Sequence, residues 1–197
     1  MSHGALSGHK DERCPELPMF MPQKVHVCAC PGPDESYVHQ FSELFSMYIQ
    51  VQVSEGVLSD CMRGDDPGEP VEFVLRRQYL RTSAVTVVLL GPETWRHRCI
   101  DWLIAASLRE SVEAVRSGLL GILLPHHPAH GRATFNPYTI PQRLYVNLVR
   151  RYAELHDWQE DPRKVFPWIH EAFRRRRDLR PDNTLPLMTA DLTGETW

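Results

Sequence analysis

The segment 84–90 constrains the fold more than any other part of the chain, because it is β-branched and apolar at nearly every position. A strand that is apolar on both faces belongs in the middle of a parallel sheet, where helices cover both sides. A second run of this kind spans 118–124. Shorter segments at 24–30, 49–53 and 152–158 predict three further strands.

Between these strands, apolar residues recur at three- and four-residue steps, which predicts amphipathic helices. The predicted helices cover about 34–48, 68–82, 100–116, 143–149 and 161–177. Strand and helix therefore alternate along the chain, which favours an open parallel sheet with helices on both faces. Right-handed crossovers leave few topologies, and the flavodoxin-like order 2-1-3-4-5 of about five strands is the one we expect.

Charge and hydropathy exclude several classes of protein. The 197 residues carry a formal net charge of −3, which gives no general attraction for nucleic acid or for an anionic membrane. The apolar runs are far shorter than the roughly 20 residues of a membrane-spanning helix. Five cysteines without paired spacing fit reduced thiols in the cytoplasm. The polar start and end predict a flexible leader at 1–22, a domain at 23–178 and a tail at 179–197.

Two groups of potential metal ligands have simpler interpretations. Cys28 and Cys30 commonly behave as small buried hydrophobic residues at such a position. His126, His127 and His130 could bind zinc, but without nearby acidic or cysteine partners a solvated loop is the favoured interpretation. We therefore predict no metal site, and motifs of nucleotide-triphosphatases, zinc proteases and α/β-hydrolases are absent from the sequence.

Parallel sheets of this type bind ligands beyond the carboxyl ends of their strands. The loops at this edge span 30–36, 54–68, 91–98 and 125–141. Trp95, after the most apolar strand, could stack on an aromatic ligand ring or could cover the edge of the core.

The run 79–95, which contains VLLGPETW, continues into Cys99-Ile-Asp-Trp102 and later into GLLGILLP at 118–125. These motifs resemble the TIR-like domain family of the Thoeris antiphage system, and the resemblance extends over about 24–178. It implies a flavodoxin-like TIR fold in a cytoplasmic protein that handles NAD as substrate, with no other cofactor. Active members of that family cleave NAD to nicotinamide and a cyclic ADP-ribose-type signal, which switches on a separate effector protein.

The resemblance also places a catalytic glutamate directly after the Asp-Trp pair, where this chain has Leu103. That carboxylate stabilises the oxocarbenium-like ribose, and losing one preorganised charge costs on the order of 10²–10³ in rate. The first loop, 28–33, departs from the family pattern as well. The predicted site residues are Glu93, Asp101 and Leu103 for catalysis and Cys28, Ala29, Cys30, Asp34, Asp60, Thr94, Trp95 and Trp102 for substrate binding.

Two functions follow from these observations. In the first, the chain cleaves NAD, with Glu93 as the substitute carboxylate and with Asp60 and Asp101 bonded to ribose hydroxyls. In the second, it is a catalytically silent module that binds a nucleotide or a partner. Self-association would then use the exposed sides of the helices predicted at 68–82 and 161–177.

Overall fold

A computed structural model of the chain describes residues 24–32, 34–53, 69–110 and 115–193. The strands are β1 Lys24–Cys28, β2 Gln50–Val53, β3 Val85–Leu90, β4 Gly118–Leu123 and β5 Ala153–Asp157. All neighbouring pairs are parallel and the order is β2-β1-β3-β4-β5, which confirms the predicted flavodoxin-like α/β sheet.

The helices that cover the sheet are α1 Glu35–Phe45, α2 Val71–Leu75, α3 Arg98–Leu108, α4 Gln142–Val149 and α5 Pro162–Asp178. A π-helical turn, Arg76–Leu80, continues α2, and short 3-10 turns occur at Thr94–Arg96 and Pro137–Thr139. Asp161 begins α5 as predicted, because its side chain accepts a hydrogen bond from the amide of Arg163 at the helix N-terminus. No helix in the described ranges is long and apolar enough to cross a membrane.

The central strand β3 separates two hydrophobic cores. Val85, Val87 and Leu89 face the core that contains α1 and α5. Val88 and Leu90 face the core that contains α2, α3 and α4. All six residues of β3 are buried, which is why its sequence is apolar at successive positions instead of alternate ones.

The helix α3 ends at Leu108, so the prediction that it continues to about 116 is wrong. Arg109 has extended backbone angles, φ −79° and ψ 135°, that end the helix. Its guanidinium lies 2.7 Å from the carboxylate of the buried Glu72 in α2. The amide of Ser117 then donates to the carbonyl of Ser107, which leads the chain back into β4.

Residues 179–193, which we call the C-terminal segment, contain no helix or strand but pack against the helical layer. The segment begins beside α4, where Asp182 and Asn147 exchange hydrogen bonds. It ends beside the start of α3, where the amide of Leu192 donates to the carbonyl of Arg96. The predicted leader 1–22 lies outside the described residues.

Candidate functional site

Three loops meet at the carboxyl edge of the sheet, after β1, β3 and β4. A side-chain pair between Asp34 and His126 connects the first and the last of them, and Thr94 in the middle loop also bonds Asp34. The loop after β2 spans 54–68 and lies outside the described residues, so the site prediction for Asp60 falls there and stays a prediction.

Asp34 is the centre of this arrangement. Its side chain is only 2% exposed, and its Oδ1 lies 2.7 Å from Nε2 of His126. Its Oδ2 accepts a hydrogen bond of 3.3 Å from the hydroxyl of Thr94, which itself accepts one of 2.8 Å from the amide of Gly91. Buried carboxylates are tolerated when their oxygens are hydrogen-bonded in this way. The structure thus brings the predicted residues Asp34 and Thr94 together.

Gly91 is required by the close approach of the Asp34 carboxylate. A methyl group built on Gly91 would lie 2.2 Å from Oδ2 of Asp34, well inside van der Waals contact. The sequence showed this glycine only as a strand breaker after β3. In the structure the missing side chain of Gly91 leaves room for the Asp34 carboxylate beside the end of that strand.

The histidines of the loop after β4 differ from one another. His127 is buried: its Nε2 donates to the carbonyl of Thr139, and its Nδ1 accepts from the amide of Ala129. Burial lowers the pKa of His127, and both bonds fit its neutral form. The prediction of a solvated loop is therefore wrong for His127. Among the described residues, no group of three or more His, Cys, Asp or Glu could hold a metal ion.

The sequence indicates His126 only as a possible zinc ligand and does not select it as a substrate-binding residue. Asp34 and His126 are separated by 92 positions, so no local motif contains them. One signal was available, because Asp34 follows β1 and His126 follows β4, and the carboxyl ends of parallel strands share one edge.

Cys28, the last residue of β1, and Cys30 are buried, as predicted. Burial raises the pKa of Cys28 to about 12. Burial, together with the negative charges of Asp34, Glu93 and Asp191, also raises the pKa of Cys30 to about 12. Both thiols are thus protonated at neutral pH and are poor nucleophiles. The binding role predicted for Cys28, Ala29 and Cys30 stays a prediction.

Glu93 and Trp95 lie in the loop after β3. The Glu93 carboxylate is 51% exposed and lies 2.5 Å from the guanidinium of Arg96. The indole of Trp95 is nearly buried, and the same guanidinium lies 4.9 Å from its ring centroid. This placement matches the alternative in which Trp95 covers the edge of the core, while Glu93 remains accessible.

Asp101 is held in a buried ion pair with Arg143 of α4. Nε and Nη2 of Arg143 lie 2.8 and 3.2 Å from its two carboxylate oxygens. The amide of Met188 in the C-terminal segment donates to the same carboxylate at 3.0 Å. Trp102 donates from Nε1 to the Met188 carbonyl at 2.8 Å. The segment therefore covers the Asp-Trp pair, and this arrangement supplies a structural role for both side chains.

Leu103 is 2% exposed and belongs to the core between α3 and the sheet. Its neighbours along the helix, Ile100 and Ile104, are in the same apolar cluster. A leucine at this position is explained by packing alone. The catalytic predictions for Glu93, Asp101 and Leu103 thus fall on three different environments: an open rim, a buried ion pair and an apolar core.

Comparison with known families finds a match for part of the chain. The family model described as "Thoeris protein ThsB, TIR-like domain" matches residues 31–129, which is half of the chain. The matched part contains Asp34, the loop after β3, Leu103 and His126. No curated protein matches the chain.

Proposed function

The chain belongs to the family of the Thoeris protein ThsB, TIR-like domain, and on this premise we propose that it is a cytoplasmic antiphage-defence protein that binds NAD, or a nucleotide derived from it, without cleaving it efficiently. The binding site is the carboxyl edge around Asp34, Thr94 and His126. The protein then acts by binding and assembly. Its exposed helical surfaces, around α2 with its π-helical turn and along α5, are the surfaces for self-association.

The position of Leu103 in the apolar core carries this proposal. Departure of nicotinamide leaves a ribose with oxocarbenium-like positive charge, which a fixed carboxylate stabilises. The position directly after Asp101 and Trp102 supplies an alkyl group instead, and it is 2% exposed. Asp101 does not replace the missing charge, because its carboxylate already faces the buried guanidinium of Arg143.

The composition of the edge supports a nucleotide ligand. Binding sites for small organic molecules combine apolar walls with a few convergent polar groups. Here the partly exposed ring of Tyr37 provides apolar surface, while the imidazole of His126 provides a polar group held by the buried Asp34. The half-exposed carboxylate of Glu93 at this edge suits the cationic nicotinamide ring and the hydroxyl donors of ribose.

A second candidate function is cleavage of NAD with Glu93 as the substitute carboxylate. The observation that favours it is the 51% exposure of this side chain at the rim, where it acts electrostatically on Cys30. The products would be nicotinamide and a cyclic ADP-ribose-type signal for a separate effector protein. In that mechanism the carboxylate leaves Arg96 and approaches the ribose.

Two measurements on the purified protein distinguish these functions. Calorimetry with NAD is expected to detect binding, while chromatography after long incubation at high protein concentration is expected to detect no released nicotinamide. Nicotinamide release that is abolished by Glu93→Gln would replace the proposal with the second candidate. Absence of NAD binding would contradict both functions.

A gain-of-function variant tests the role of Leu103 itself. Leu103→Glu is expected to produce nicotinamide release. Leu103→Gln is not, because the glutamine side chain has the length of glutamate but no charge. Circular dichroism of both variants checks that they are folded, since either change places a polar group in the core. Equal release by the two variants would contradict the electrostatic explanation.

A further inference from the structure

Asp34 and His126 combine a buried carboxylate with an accessible imidazole. The Asp34 side chain is 2% exposed, the His126 side chain is 37% exposed, and Oδ1 and Nε2 are 2.7 Å apart. The second oxygen of Asp34 is held by the hydroxyl of Thr94. The buried carboxylate of Asp34 therefore orients the imidazole, which is itself accessible to a ligand at the edge of the sheet.

The partner atom fixes which nitrogen of His126 carries the proton. A carboxylate oxygen accepts the hydrogen bond from Nε2 of His126, and in the neutral imidazole with this tautomer Nδ1 keeps its lone pair. Within the described part of the chain, the hydrogen bonds of His126 involve Nε2 and not Nδ1. A ligand group that donates a hydrogen bond can therefore meet Nδ1.

The surroundings of His126 favour an uncharged donor over a phosphate. The carboxylate of Asp34 contacts the imidazole directly, Glu93 and Asp191 act electrostatically on Cys30 of the same edge, and the guanidinium of Arg96 is already paired with Glu93. Phosphate oxygens would be repelled by these carboxylates, and they have no hydrogen to give to Nδ1. A hydroxyl group has that hydrogen and carries no charge.

An aromatic surface lies beside the imidazole. The ring centroid of Tyr37 is 5.5 Å from that of His126, and the ring of Trp158 packs edge-on against Tyr37 at 5.3 Å. Such a surface fits the apolar side of a sugar or a base while the imidazole bonds a hydroxyl. The two features together describe a subsite for a ribose.

We propose that Nδ1 of His126 accepts a hydrogen bond from a ribose hydroxyl of the bound nucleotide, and that Asp34 is the positioning residue that holds the imidazole for it. This inference rests on the proposed function, because it requires a nucleotide at the carboxyl edge. No covalent bond is formed or broken in this contact. Its contribution is affinity and selectivity for a ribose that carries its hydroxyl groups.

The test combines a change in the protein with a change in the ligand. Binding of NAD and of two analogues, each lacking the 2′-hydroxyl of one ribose, is measured by calorimetry for the wild type and for His126→Ala. One net hydrogen bond at the upper end of its usual strength corresponds to about 10-fold in affinity. We expect the wild type to bind one analogue about 10-fold more weakly than NAD. His126→Ala should bind NAD about 10-fold more weakly and should not discriminate against that analogue.

The matched control is His39→Ala, which removes an exposed histidine from α1 and should bind NAD as the wild type does. Equal binding of NAD by the wild type and His126→Ala would overturn the inference and leave the proposed function intact. Additive losses from the two changes would also overturn it, because His126 would then act elsewhere. No binding of NAD to the wild type would overturn both.

Asp34→Asn tests the positioning role separately. The amide nitrogen of asparagine can donate to Nε2 of His126, which moves the ring proton to Nδ1 and removes the acceptor. We expect this variant to lose discrimination between NAD and the same analogue while its thermal unfolding remains cooperative. Discrimination equal to that of the wild type would overturn the role of Asp34.

Discussion

The buried pair of Arg143 and Asp101 gives the most quantitative prediction for stability. The Arg143 side chain is 1% exposed and donates five hydrogen bonds. Two of them reach Asp101 and three reach Asn183, Leu185 and Pro186 in the C-terminal segment. Replacing Arg143 with Met keeps much of the apolar volume and removes all five bonds.

The expected loss in the free energy of unfolding comes mainly from the buried carboxylate of Asp101, which is left without its partner. Removing one partner of a buried ion pair costs about 3–5 kcal/mol, because the other charge is left uncompensated. The bonds to the C-terminal segment add about 1 kcal/mol each at most, and water replaces part of this. We therefore expect Arg143→Met to lower the free energy of unfolding by about 5 kcal/mol. Because the whole stability of a domain is about 5–15 kcal/mol, the change should be large.

Urea unfolding followed by circular dichroism measures this effect, and Arg150→Met is the matched control. Arg150 also pairs with the C-terminal segment, through Asp182, but its side chain is 63% exposed. An exposed pair contributes about 0–1 kcal/mol. The double variant Arg143→Met with Asp101→Leu should recover part of the loss, since no charge is left buried. A loss of about 1 kcal/mol or less for Arg143→Met, equal to that of the control, would show that the buried pair contributes no more to stability than an exposed one.

Three further predictions concern groups near the sheet. Burial lowers the pKa of His26 from 6.5 to about 4. Below pH 6.5 the unfolded chain therefore binds this proton more tightly than the folded chain, and the free energy of unfolding falls by up to about 3 kcal/mol by pH 4. His26→Val should reduce this pH dependence in urea unfolding, while His39→Gln, at an exposed position, should not. Gly91→Ala should lower the free energy of unfolding by about 1–3 kcal/mol and weaken NAD binding, because the added methyl meets Asp34; unchanged thermal unfolding and affinity would contradict the packing. Because the pKa of Cys30 is raised to about 12, mass spectrometry should find it unmodified by iodoacetamide in the folded protein at neutral pH, and rapid labelling would contradict its burial.

The fold could be predicted because its signals are local. Every residue of β3 is buried, and nearly all of them are apolar in the sequence. This continuous apolar run predicts a strand at the centre of a parallel sheet. The end of α3 could not be predicted in the same way. It depends on Arg109, which pairs with Glu72 from a preceding helix, and such a contact leaves no periodic signal in the sequence.

Some residues of the candidate site could be selected from the sequence for the same reason. Asp34 and Thr94 could be selected because they lie in loops that follow strands of a parallel sheet. The partner of Asp34 is His126, 92 positions away, and the partner of Asp101 is Arg143, 42 positions away. The C-terminal segment is held by hydrogen bonds between side chains of the domain and its backbone, and such bonds leave no hydrophobic periodicity in the sequence. Only the folded structure joins these pairs.

Hydrogen exchange of the full chain with and without NAD maps where the ligand binds and does not depend on cleavage. We predict slower exchange on NAD addition in the loops at 28–36, 91–97 and 124–127, with NAD recovered intact. Protection confined to α5 or to the opposite edge of the sheet, or conversion of NAD to nicotinamide during the measurement, would contradict it.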